Sequence, residues 1–173
     1  MKENEIVSDV NFTSVDSLLN ERKYYKALSV AKGIESFVHD NFGGLAEVDV
    51  DVSEDLLLFV SIESLATFLN EVFNFVHGRS LVKMHFHSAD ERFLMSLSLS
   101  STFEYSFNEM SHLIYFARDI GFDIIHVEEN VLFSLDCYRT QSFRVYAPLI
   151  ADDVKEIVDK LKTAFYIQWK LSE

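Results

Sequence analysis

The chain has 173 residues, 49% of them apolar, enough to fill the core of one domain. Lys and Arg total 15 against 28 Asp and Glu, and the resulting formal charge of −13, with no basic patch in the sequence, argues against nucleic acid or an anionic membrane surface as a partner. The single Cys137 cannot form an internal disulfide, and even the most apolar stretch, residues 56–75, carries Glu63 and Glu71, so a cytoplasmic protein without a membrane-spanning helix is expected.

Phe occurs 16 times, Gly five times and Pro once. Phe spread along the whole chain reads as bulky core packing, with a cage for a small apolar ligand as the alternative. Residues 1–10 are expected to be a flexible arm, and their charges interrupt the apolar run that a signal peptide needs. Residues 11–173 then form one domain, since no repeat or Pro/Ser-rich linker divides them.

From Ser14 onward, Val15, Leu18, Leu19, Tyr24, Tyr25, Leu28, Val30, Ile34, Phe37 and Val38 recur at steps of three and four, predicting amphipathic helix with a break near Asn20 and a stop at Gly43-Gly44. Leu45 to Val52 alternates apolar with acidic residues, as a half-buried strand does. Leu56 to Val60 is short and wholly apolar, which suits a central strand. Ser61 or Ser64 can cap the next helix, whose stripe is Leu65, Phe68, Leu69, Val72, Phe73 and Val76, with Gly78 closing it.

Residues 81–87 and 93–99 read as a hairpin across the polar turn 88–92. Phe107 to Ile120 has helical spacing and ends at Gly121; residues 123–127 and 131–138 flank a second turn. A strand over 143–147 leads to Pro148 and a last helix from about Asp152 to Trp169, its buried side marked by Val154, Ile157, Val158, Leu161, Ala164, Phe165 and Gln168. This order predicts a two-layer α/β sandwich: a mixed, mostly antiparallel sheet of about seven strands with helices on one face, and the added helix at residues 150–170 packed on its own domain or on a second copy.

Residues 12–147 resemble the ATP-binding domain of histidine kinases, the GHKL or Bergerat group. The strings that carry the resemblance are Asn11-Phe12-Thr13-Ser14-Val15, the stretch from Val50 to Asp55 leading into Ser61-Ile62-Glu63-Ser64-Leu65, and the stretch from Leu69 to His77. The last is similar to the N-box helix of that family. By position, the resemblance makes Asn74 the residue that would hold the magnesium bridging nucleotide phosphates, Asn70 its companion one turn earlier, and His77 the basic residue near the phosphates. Residues four apart share a helix face, so both amides are able to reach one ligand.

The sequence departs from the family in three places. Phe75 stands where the family has a small residue. The Asp-x-Gly-x-Gly turn that holds adenine is replaced by Ser98-Leu99-Ser100-Ser101-Thr102-Phe103-Glu104, and no glycine occurs between Gly78 and Gly121, so the glycine-rich lid is missing. Farther on, Phe116 to Phe122 followed by Ile124 to Val127 again resembles the last helix and hairpin of the family. The resemblance thus implies a degenerate member: a non-catalytic interaction or regulatory module in signal transduction, with a signalling protein as partner, no cofactor, and a homodimer compatible with the last helix. Residual Mg-ATP binding through Asn70, Asn74 and His77 is the alternative.

Other clusters carry less. His85 and His87 share a strand face with Lys83 and offer two imidazoles to zinc only if Asp90 or Glu91 joins them; a polar strand face is the simpler reading. His39-Asp40 resembles a phosphoacceptor pair but sits at a helix end, where a cation favours the dipole. Cys137 lies in an apolar strand as a structural thiol, and no Gly-x-Ser-x-Gly elbow supports hydrolysis.

Overall fold

The computed structural model describes residues 22–41, 47–76, 81–100, 107–127, 130–139 and 154–172. The expected N-terminal arm, the Gly43-Gly44 and Gly78 stops, the strand at 143–147 and Pro148 lie outside them. The elements run β1 (Lys23–Lys26), α1 (Ala27–Asn41), β2 (Glu47–Asp51), β3 (Leu56–Val60), α2 (Ile62–Val76), β4 (Leu81–Ala89), β5 (Arg92–Leu99), α3 (Phe107–Ile120), β6 (Asp123–Val127), β7 (Asn130–Asp136), β8 (Tyr138–Arg139) and α4 (Val154–Ser172).

Five strands form one mixed sheet in the order β2-β4-β5-β7-β6, in which only β2 and β4 are parallel. The connection between those two passes through β3 and α2, the crossover that a parallel pair requires. Alternation decides the faces. Met84 and Phe86, Phe93, Met95 and Leu97, and Val131, Phe133 and Leu135 are buried, and the register sets Phe86 beside Met95 and Met95 beside Phe133. The helices cover this face: Phe68 of α2 meets Phe133 edge to face at 4.9 Å and Phe122 at 5.1 Å, and a single core joins residues of all four helices to it. On the opposite face Arg92 crosses the strands, donating to Ser134 Oγ at 2.7 Å, to Asp123 at 2.9 Å and to Asp136.

The structure departs from the sequence reading in three ways. Tyr24 and Tyr25 belong to strand β1, antiparallel to β3, because pairing with Leu58 buries Tyr25 in a way that helical spacing does not reveal. The expected run 131–138 breaks at Cys137, whose N–H donates to Glu91 O at 2.8 Å, so that β8 leaves the large sheet and pairs with β3. As a result the eight described strands divide between two sheets, the smaller ordered β1-β3-β8. An ion pair from Arg139 to Asp55, 2.9 Å, anchors β8 beside the turn before β3.

Helix boundaries follow local chemistry. Ser61 Oγ accepts from Ser64 N–H at 3.1 Å, the expected N-cap of α2. At the end of α3, Gly121 adopts φ 107°, and the N–H groups of Gly121 and Phe122 donate to Arg118 O and Ala117 O at 3.0 and 2.9 Å. Helix α4 packs on α1 and α2 of its own chain, burying Ile157, Val158, Leu161 and Ala164, and Lys160 Nζ donates to Tyr25 OH at 2.9 Å. Among the described residues no helix is long and apolar enough to cross a membrane.

Helices α1 and α4 come close at Gly33, where an added Cβ would lie 2.6 Å from Ile157 Cγ2 and 3.1 Å from its Cβ. Both atoms belong to the stiff root of a β-branched side chain, so the contact cannot relax by rotation alone. Alanine would gain about 1 kcal/mol of helix propensity but incur an overpacking cost of about 1–3 kcal/mol. Gly33→Ala should therefore lower stability by about 1 kcal/mol and the melting temperature by about 2–4 °C. A variant that melts higher than the parent would show that the two helices are not in this contact.

Candidate functional site

Helix α2 exposes one edge of its C-terminal half to α3. Leu65, Phe68, Leu69 and Val72 are buried beneath it, which turns Glu71, Asn74 and Phe75 towards the flank where α3 packs. From α3 come Glu109, His112 and Leu113. The six residues line a groove of about 180 Å³. Each helix supplies an acid, a polar side chain three residues on and an apolar one after that, because i, i+3 and i+4 share a face.

Of the expected site residues, Asn74 is exposed and lines this groove; Asn70 is half-buried and does not line it; His77 lies outside the described residues. Phe75 is 4% exposed and forms part of the apolar lining with Leu113. Its ring fills space that a small residue would leave open. The other lining residues were not singled out from the sequence. Glu71 and Glu109 read as ordinary solvent-facing acids until the packing of α3 on α2 brings them to one groove. The spacing 109, 112, 113 was a usable signal, but only once the partner helix was known.

Residues 100–106 alone separate β5 from α3, and Glu109 stands in the first turn of that helix. Thr102 and Phe103, part of the string that stands in place of the adenine-holding turn, lie outside the described residues.

The second cluster is on the sheet face opposite the one that the helices cover. His85 and His87 do share that face with Lys83, but their rings stack on each other at 4.7 Å and 27°, and Lys83 Nζ pairs with Asp49 at 2.7 Å. The hydrogen bond from Lys83 holds the Asp49 carboxyl below the usual carboxylate range. Among the described residues no group of three His, Cys, Asp or Glu is placed to hold a metal ion, which leaves the zinc reading without a third ligand. Asp90 and Glu91 instead make the β4–β5 turn, Asp90 with φ 56°. Cys137 is buried, and burial pushes its thiol up to about 12, as suits a structural residue. His39 is exposed in the last turn of α1, 3.3 Å from the Asp40 carboxylate.

His87 supplies a test of this face. Its Nδ1 is buried with no hydrogen-bond partner among the described residues, and its pKa is lowered, first by desolvation and then by His85, against a smaller opposing effect of Asp51. Folding thus favours the neutral ring. The stabilisation is complete above the unfolded value of about 6.5 and is lost as pH falls below it towards the lowered folded value. Denaturation curves of the parent should weaken between about pH 7 and pH 5, and His87→Gln should flatten that slope. An unchanged slope would place the titration elsewhere.

No protein-family profile and no curated protein matches the chain. Solved structures do resemble it. An Acinetobacter baumannii histidine kinase, AdeS, aligns over 81% of this chain and 87% of its own at 8% identity and a TM-score of 0.46. The catalytic domain of histidine kinase ThkA, in a nucleotide-free form, aligns over 66% and 93% at 13% identity and TM-score 0.44. A blue-light activated histidine kinase from Erythrobacter litoralis aligns over 76% of this chain at 12% identity and TM-score 0.44, and this chain spans 56% of it. Values this low carry no argument about activity. The assignment of a mixed sheet layered with helices stands on the strand order and helix packing described above.

Proposed function

We propose that the chain is a histidine kinase-like domain that has given up nucleotide chemistry and works in cytoplasmic signalling through contact with a protein partner. The observation that carries this reading is the chemistry of the α2–α3 groove. At about 180 Å³ it is smaller than the roughly 300–1,000 Å³ of pockets that enclose a ligand of nucleotide size. Glu71 and Glu109 would face the phosphates, and like charge at close range disfavours a polyanion. The missing glycines and the short link to α3 add support, because the family relies on glycine backbone to admit the base and the phosphates.

Residual Mg-ATP binding stays the second reading because Asn74 does line the groove. Two carboxylates would also attract free Mg²⁺, so the informative comparison is Mg-ATP against Mg²⁺ alone. A ligand at 100 times its dissociation constant stabilises a fold by about 2.7 kcal/mol, a shift visible in thermal melting. Millimolar Mg-ATP should add nothing beyond Mg²⁺ alone. A further rise that disappears in Asn74→Ala would establish nucleotide binding and overturn the proposal.

A further inference from the structure

We infer that the α2–α3 groove is a socket for an arginine side chain of a protein partner. The inference rests on the reading of this domain as a contact module and specifies the chemistry of the contact. The groove combines what a guanidinium and its stem require. Glu71 and Glu109, one from each helix, supply acceptor oxygens; Phe75 and Leu113 supply an apolar lining for the methylene stem; the Asn74 side chain offers a further acceptor. Its volume of about 180 Å³ suits one long side chain rather than a cofactor.

A guanidinium fits better than an ammonium. It is less strongly hydrated and planar, and it presents several donors at once to acceptors arriving from two directions. The occupant belongs to a protein because α3 carries a second feature on its exposed surface. Tyr115 lies one turn beyond His112 on α3 and is 70% exposed, among the few large apolar side chains that the described surface displays. An exposed aromatic on the helix that supplies half of an acidic socket matches the aromatic and arginine anchors that dominate protein interfaces.

The test uses N-acetyl-arginine amide and N-acetyl-lysine amide as probes of the whole chain, followed by two-dimensional NMR of the Asn74 side-chain amide and the Leu113 methyl groups. The arginine probe should move these signals saturably in the millimolar range, less so at high salt, and more strongly than the lysine probe. Replacing both acids, Glu71→Gln with Glu109→Gln, should weaken binding about tenfold. Asp159→Asn on the exposed side of α4 removes a charge elsewhere and should leave it unchanged. Melting curves establish that both variants are folded.

No saturable shift, equal binding of the lysine probe, or equal weakening by Asp159→Asn would overturn the inference while leaving the contact-module reading standing. Mg-ATP shifting the same signals beyond Mg²⁺ alone would overturn that reading and the socket with it.

Discussion

Helix α2 is held on three sides at once, and the rest of the molecule is arranged by that constraint. Its stripe of Leu65, Phe68, Leu69 and Val72 is buried in the core, with Phe68 against Phe133 of the large sheet, while α3 packs along one flank and α4 along another. Phe68 shows the consequence most directly, since one ring meets both Phe122 and Phe133 and so links α2 to the sheet and to the chain leaving α3. A helix fixed in this way cannot rotate. Asn74 is therefore held at the mouth of the groove, and Glu71 and Phe75 must enter it from the same side.

The same constraint explains why the groove has the character it does. Phosphates bind most readily where the backbone N–H groups of a helix N-terminus stand open to them. Here the link from β5 to α3 is only residues 100–106, which brings α3 against α2 directly, and the large ring of Phe75 takes up volume at the contact. What is left between the helices is a short, partly apolar slot edged by carboxylates.

How much of this was legible in the sequence depends on how local each cause is. The α2 stripe, the Ser61 cap, the Gly121 stop and the β4–β5 hairpin each follow from spacing or from one residue's backbone preference, and they stand where the pattern put them. Tyr24 and Tyr25 did not, because their distance from Leu28 also fits a helix, and only pairing with β3 reveals the strand. The jump at Cys137 was hidden for a similar reason: apolar residues continue through Tyr138, and the exchange of sheets is a tertiary event. Asn74 could be named in advance from its resemblance to a known helix, whereas Glu109 and His112 could not, since their role exists only across the contact between two helices.

In the proposed function a rigid, fully folded α2 offers its groove to something other than a nucleotide. Residue-resolved amide hydrogen exchange with and without Mg-ATP tests it most directly, because exchange reports both the local stability of a helix and any protection a ligand adds. Strong protection is expected through residues 65–72, the same in both samples, with no added protection at residues 73–76. Weak protection along α2, or a rise at its C-terminal turn on adding Mg-ATP, would contradict it.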